Sequence, residues 1–445
     1  MAPSVVQTKT YDRPPQKQEL LNEFAGKPLK ALRTPAMIID RNIFAQNCAR
    51  MHEKAAQWGA NFRAHLKTHK TAEGTRLQLV SSAQKTTAVV VSTLMEAWEV
   101  VRAGLVADGT VSDILYGLPI AINKIADLSS LRDEVASHGA VIRILIDHPD
   151  QVRFLEAFEK QQPSVRRWSA FVKVDGGQKR AGVSPASPFF ESLLPLLFES
   201  PAISLYGFYC HAGNSYASTS FPQASSVLSA EVEAVNTAAG LALAVLSNTH
   251  SNGAHEQPFV LAVGSTPTAH AASTETKAQL ASVLNGTLEL HAGNYPMLDL
   301  QQLHTNLVDR SRVAQRVLAT VISYYPGRGA GGSDEAMCDA GAIAMSKDTG
   351  PSGVFGEVIG RPWSLGRISQ EHGILTRSTP AKSTGNDKLS ADDGGDKLEL
   401  GSMVEIVGQH ACLTAAAYPW YYVVDSSVDG GSDCVQDIWV PWKGW

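Results

Sequence analysis

From residue 60 to about residue 291 the chain repeats one hydrophobic pattern, a short β-rich run followed by a longer stretch of helical period. The β-rich runs are 61–67, 86–92, 111–116, 141–147, 168–175, 203–210, 259–264 and 287–291. Helix-like stretches such as 95–103 and 151–160 separate most of them. Eight β-then-α units predict an α/β chain whose parallel strands close into a (β/α)8 barrel. An open, doubly wound sheet is the competing arrangement. The barrel is preferred because the residues suited to chemistry fall at strand ends all around the series.

The flanks read differently. Residues 36–40 carry Met37, Ile38 and Ile39 behind Thr34 and Pro35, and an amphipathic helix follows from Ile43 to Trp58. That strand is a ninth, so it is assigned to a second domain. After about residue 306, runs at 316–325, 336–339, 397–407 and 420–424 alternate with Gly-rich loops and predict a mostly β domain. The expected organisation is therefore an N-terminal arm and strand over 1–39, a barrel over 40–305 and a β domain over 306–445. Residues 378–396 are rich in Ser, Thr, Gly, Asp and Lys, with Leu389 the one large apolar residue, and read as a mobile surface insertion. Residues 251–256 read as an exposed loop, and the polar residues 1–18 as a flexible arm.

Composition narrows the partners. The chain has 445 residues, 44% of them hydrophobic, and a formal net charge of -5 spread along its length. Nothing resembles the basic face of a nucleic-acid binder. No unbroken apolar run reaches the roughly 18 residues of a membrane helix, and the N-terminus lacks the apolar core of a secretory signal. Five cysteines, Cys48, Cys210, Cys338, Cys412 and Cys434, are an odd number at wide spacings, which predicts reduced thiols in the cytoplasm rather than a disulfide framework.

The first barrel strand carries unusual polarity. In 61–67, Phe62, Ala64 and Leu66 alternate with Arg63, His65 and Lys67, so one of the two sets faces the lumen. A lysine at the C-terminal end of a barrel strand stands where active sites of this fold are built. Among other cations, here expected to be Arg63 and His65, it can attack an aldehyde. Lys70, three residues on, is the rival nucleophile. After the seventh strand comes Gly264-Ser265-Thr266-Pro267-Thr268, and after the eighth His291-Ala292-Gly293-Asn294-Tyr295. Small residues and hydroxyls there suit a phosphate, and barrel phosphate sites often follow strands seven and eight. A lysine and a phosphate turn together favour a phosphorylated aldehyde cofactor. Gln178 and Arg180 after the fifth strand, and Tyr209, His211 and Tyr216 around the sixth, are further candidates to contact its oxygens or ring. In the β domain His410 and Cys412 lie two apart, so both can point to one side of an extended segment and form a zinc-type ligand pair. Two protein ligands leave positions open for water or substrate.

These segments, Arg63 to Lys70, Tyr209 to Tyr216, Gly264 to Thr268, Gly293 to Asp299 and His410 to Cys412, resemble the eukaryotic zinc-dependent D-serine dehydratases. That family lies within the alanine racemase-like pyridoxal 5'-phosphate (PLP) group, which also contains the D-threonine aldolases. The resemblance implies a barrel of the alanine racemase N-terminal type carrying PLP, a β domain completing the enzyme, and a homodimer. It implies that Lys67 is the PLP lysine and that His410 and Cys412 hold Zn2+. The aldolases look similar but carry an Asp where this chain has Cys412, and the softer thiolate fits zinc. The activity implied is β-elimination on D-serine, with Lys67 as the base and zinc assisting departure of the hydroxyl. Aldolase-type cleavage of D-3-hydroxy amino acids and a non-enzymatic PLP-binding role are the alternatives.

Overall fold

The computed structural model describes residues 16–248, 257–280, 283–378 and 397–445. Its contacts divide into two compact units. One comprises Met1–Phe44, Pro296–His304 and Val308–Pro441, the other Ala45–Tyr295, Thr305–Leu307 and Trp442–Trp445. Strand β1 (Ala36–Asp40) belongs to the first unit. The helix Arg41–Trp58 runs from the first into the second.

The second unit is the barrel. Its strands are β2 (Asn61–His65), β3 (Ala88–Val91), β4 (Asp113–Pro119), β5 (Val141–Ile146), β6 (Trp168–Val174), β7 (Ile203–Cys210), β8 (Phe259–Val263) and β9 (Gly286–Ala292). They pair in parallel in sequence order, and β2 meets β9 with Asn61 opposite Glu289 and Ala64 opposite Ala292. All eight expected strands are present, and the closed barrel displaces the open sheet as the arrangement. Side chains from β3 to β8 fill the lumen, where Val90, Leu115, Leu145, Phe171, Tyr209, Val260 and Ala262 form one buried cluster. Each large member contributes roughly 1.5–3 kcal/mol by leaving water. Ser and Thr residues after the strands start the next helices by capping orphan amides. Thr93 accepts from the Glu96 N–H, Ser187 from Phe190 and Ser265 from Thr268.

The longest helix of the barrel coat is Phe221–Asn248, whose buried residues Leu228, Glu231, Val232 and Val235 follow helical spacing. It is long and, on average, apolar enough to cross a membrane, although no unbroken apolar run signals this in the sequence. In the structure it packs on β7 and β8.

The first unit centres on a nine-stranded sheet. After β1 its strands are β10 (Gln315–Tyr325), β11 (Glu335–Cys338), β12 (Gly356–Val358), β13 (Trp363–Ser369), β14 (His372–Arg377), β15 (Met403–Gly408), β16 (Tyr421–Val424) and β17 (Asp437–Trp439). The order across the sheet is β11-β14-β13-β12-β15-β10-β1-β16-β17. β1 runs parallel to β16 and antiparallel to β10. Phe24, Leu29, Ile38, Leu318, Tyr422 and Ile438 pack over one face. The sequence pattern did not mark β12, β13, β14 or β17, which are short or carry Gly, Arg and His among few apolar positions. The expected loop at 251–256 and residues 379–396 of the expected insertion lie outside the described residues, as do residues 1–15 of the expected arm.

Candidate active site

β2 ends at His65, two residues earlier than expected, and Lys67 stands in the turn that follows. The Thr68 hydroxyl donates to the Gly293 carbonyl at 3.2 Å, which ties this turn to the segment after β9. The Lys67 charge acts on His65 and on His211, so the amine belongs to the C-terminal mouth of the barrel. Lys70 is different. Its backbone is left-handed (φ 52) and its ammonium pairs with buried Glu96 at 3.0 Å. That pairing commits the Lys70 ammonium to a buried carboxylate.

The expected cationic pressure on Lys67 is corrected by the structure. Arg63 is fully buried, and its guanidinium is paired with Glu289 at 2.8 Å and Asp113 at 2.7 Å. His65 is no cation either. Burial, and then the nearby charges of Lys67, His211 and His291, push its pKa well below the usual imidazole range. A further cation in this part of the barrel is Lys173 on β6, which the sequence pattern did not mark. Burial brings its pKa down to about 8, against the raising effect of Cys210. Its signal was present, a lone lysine two residues after Phe171 on a strand otherwise apolar but for Ser169.

His211 follows β7. Its Nδ1 donates to the Gly264 carbonyl at 2.9 Å, because a carbonyl can only accept, so Nε2 keeps a free lone pair. Burial, then Lys173, Lys67 and Arg180, hold this imidazole neutral, well below its ordinary pKa. Arg180 is solvent-exposed but close enough for its charge to reach His211 and Lys173. Gln178 accepts from the Gly213 N–H at 2.8 Å and so fastens the loop after β6 to the loop after β7. Tyr209 lies in the lumen, its ring 4.9 Å from that of His291 and under the Lys173 ammonium at 4.2 Å. Tyr216 is half-buried in the 3-10 turn Gly213–Ala217.

The turn after β8 is tightly specified. Gly264 has φ +126, and a Cβ there would lie 2.4 Å from the His291 carbonyl oxygen. Its N–H does not face an open cradle, as the sequence suggests, but points to the buried carboxyl of Glu231 at 3.4 Å. The Ser265 hydroxyl pairs with Ser215 at 2.7 Å and with Thr268 at 3.0 Å. Thr266 Oγ1 accepts from the Asn294 N–H at 3.0 Å, which leaves its own proton to donate. A Cβ at Gly293 would crowd His65 at 3.1 Å. Tyr295 is corrected: its ring is fully buried in the barrel wall, 5.7 Å from Phe62 and beside Cys48, so only its backbone can meet a ligand.

These residues fit PLP on an observation independent of motif. Nδ1 of His291 is buried and has no hydrogen-bond partner among the described residues, while its Nε2 donates to Glu289 at 2.7 Å. A buried acceptor left open marks a place where a ligand supplies the donor.

In the first unit, β15 delivers His410 as the N-cap residue of the helix Ala411–Ala416. Cys412 therefore sits in a first helical turn rather than beyond His410 on an extended segment, which corrects the expected geometry. The two side chains still meet, because Cys412 hydrogen-bonds the His410 ring. Nδ1 of His410 lies 2.7 Å from Asp348 Oδ2, so Nε2 is the nitrogen left for the thiol. Burial lowers the imidazole pKa, but the Cys412 hydrogen bond, with Asp299 and Asp348, outweighs it and brings it up to about 9. Buried Asp299 accepts from the Ala411 N–H at 2.8 Å and fixes the backbone between the two side chains. Imidazole and thiol converging, with a carboxylate orienting the far ring nitrogen, fit zinc. Among the described residues no group of three or more His, Cys, Asp or Glu gathers into a complete metal cage.

Comparison with known proteins bears on the chain as a whole. Residues 314–424 match the serine dehydratase domain family. Over 434 residues the chain is 43% identical to the D-serine dehydratase of Schizosaccharomyces pombe, covering 96% of each chain. The chain belongs to the D-serine dehydratase family. Among solved structures, a Cys-to-Ala mutant of D-threo-3-hydroxyaspartate dehydratase in the metal-free form is 28% identical, with a TM-score of 0.74, over 94% of this chain and 100% of that one. An alanine racemase-like protein from Idiomarina loihiensis is 26% identical with a TM-score of 0.73, over 95% and 100%. The D-serine dehydratase family thus shares the barrel and β sheet with the alanine racemase-like group.

Proposed function

We propose that the protein is a D-serine dehydratase, converting D-serine to pyruvate and ammonia with PLP bonded to Lys67 and zinc held by His410 and Cys412. The observation that carries the reading is Lys67 at the barrel mouth beside neutral His65 and His211, with Lys70 neutralised by Glu96. The 43% identity over nearly the whole chain supports D-serine as the substrate. When bound, PLP supplies an electron sink that acidifies the substrate α-hydrogen, and zinc a Lewis acid for the departing hydroxyl oxygen.

The chain's own residues do the rest. Lys67 would hold the cofactor, and its Nζ would be the group to accept the substrate α-proton. His211 is held in one tautomer by the Gly264 carbonyl and presents a lone pair at Nε2. His291 is held by Glu289 with Nδ1 open as an acceptor. Thr266, with a proton to spare, and the backbone around Gly293 suit the cofactor phosphate. In the β unit, Asp348 orients His410, and Asp299 fixes the turn that brings Cys412 to it. Over the whole reaction the water lost in elimination is regained on hydrolysis, so D-serine yields one pyruvate and one ammonia. We take the enzyme to act as a cytoplasmic homodimer, on the family resemblance and on five cysteines that are all free.

The test is a pyruvate assay on D- and L-serine, with and without a chelator, beside an assay for glycine from D-threonine. Pyruvate from D-serine alone, suppressed by the chelator, is expected. Glycine from D-threonine without pyruvate from D-serine would replace this reading with an aldolase.

A further inference from the structure

Glu231 lies on none of the loops at the barrel mouth. It sits on the helix Phe221–Asn248, on the buried face formed with Leu228, Val232 and Val235, and is itself 1% exposed. From there Oε1 accepts from the Ala212 N–H at 2.6 Å and from the Gly264 N–H at 3.4 Å. The Thr268 hydroxyl is a third partner. Ala212 adjoins His211, and Gly264 both opens the turn carrying Ser265 and Thr266 and provides the carbonyl that fixes the His211 tautomer. One carboxyl group therefore fastens the loop after β7 and the turn after β8 to a single point on the helix behind them. In a dry site the loss of this acceptor oxygen leaves two amides unpaired, at the full cost of their desolvation.

We propose that Glu231 is a positioning residue for the cofactor, holding His211 and the Gly264–Thr268 turn in register with each other. The inference rests on the PLP reading above. It does not require Glu231 to touch the cofactor. Packing alone would make Glu231 interchangeable with its apolar neighbours on the same helix face. A positioning role depends on an acceptor oxygen at this one point.

The experiment measures PLP dissociation from the holoenzyme by equilibrium dialysis, and the visible circular dichroism of the bound cofactor, in four variants. Glu231→Ala is expected to weaken PLP binding about 10- to 100-fold and to alter the dichroism. Glu231→Gln, which keeps an acceptor oxygen for both amides, is expected to stay within about threefold of wild type. Leu228→Ala, on the same face, is expected to lower the unfolding midpoint with PLP affinity unchanged. Should Glu231→Ala fail to accumulate, Glu231→Asp, one methylene shorter, takes its place with the same expected direction. Wild-type affinity and dichroism in Glu231→Ala would overturn the proposal. So would an equal loss of affinity in Leu228→Ala, which would make the effect one of packing. If wild type carries no absorption band that Lys67→Ala removes, the PLP reading itself fails, whatever Glu231 does.

Discussion

The two ends of the barrel treat buried polar groups in opposite ways. At the N-terminal ends of the strands a cavity of ≈ 480 Å³ is lined by Arg63, Asp113, Arg143, Tyr206 and Glu289. Each of the four charged residues named has an opposite partner. Arg63 pairs with Glu289 and Asp113, and Arg143 with Asp113 at 2.8 Å and with the Ser169 hydroxyl. Burial alone would raise the Glu289 carboxyl, but Arg63 and His291 hold it well below the usual carboxylate range. At the C-terminal ends the polar groups keep spare capacity. His65, His211 and His291 are all pushed toward the neutral form, and Nδ1 of His291 is open. Buried polar groups are costly unless paired, so a saturated set reads as scaffold and an unsaturated set as a place for a ligand. Glu289 joins the two, since its Oε1 takes both Arg63 and His291.

The contrast can be broken or sharpened by substitution, ranked here by effect on turnover. Lys67→Ala should cost about 10²–10⁴-fold or more in pyruvate formation and remove the absorption of amine-bound cofactor. Survival of that band would shift the reactive amine elsewhere. Cys412→Ala should cost about 10²–10³-fold, with zinc content by atomic absorption falling in parallel. Full turnover in a zinc-free preparation would remove the metal from the reaction. Asp348→Asn should weaken zinc binding about 10- to 100-fold, read by competition with a chromogenic chelator. At the saturated end, Arg63→Met should destabilise the fold by about 3–5 kcal/mol in urea while leaving cofactor affinity in place, because buried Glu289 loses its guanidinium and Asp113 keeps only Arg143. A cofactor-binding defect without a stability loss would erase the distinction between the ends.

The smallest effect is on the pH dependence of stability. Burial raises the Glu231 carboxyl from 4.5 to about 7, against the lowering pull of the Ala212 amide, Thr268, Gly264 and Lys173. The folded state therefore holds this proton more tightly than the unfolded chain. Its contribution to stability is complete below the unfolded pKa and is lost as pH rises through about 7. Glu231→Gln should flatten urea midpoints across that window, and an unchanged slope would mean that another group titrates there.

The barrel was readable because each strand is a short β-rich run separated by residues of helical period, and period is local. Lys67, Gly264 and Gly293 stood out as candidates because strand ends are where this fold places chemistry. Glu231 had a local signal too, an acid at helical spacing from Leu228 and Val235, but nothing in the chain says which amides it would meet. Tyr295 was misread for the same reason. One residue past a Gly-Asn turn, it can face ligand or wall, and Phe62 and Cys48 decide for the wall.

By itself the sequence determined the eight-strand periodicity, the lysine at the end of the first strand, the small-residue turns and the His-x-Cys spacing, all properties of neighbours in the chain. Only the tertiary structure decided that Arg63 is neutralised from β4 and β9, that Lys70 is held by Glu96, that His410 is oriented by Asp348, and that Glu231 reaches two turns at once. Charge state and hydrogen-bond saturation depend on which groups meet across the fold. Those meetings join residues tens to hundreds of positions apart, at distances that no local pattern encodes.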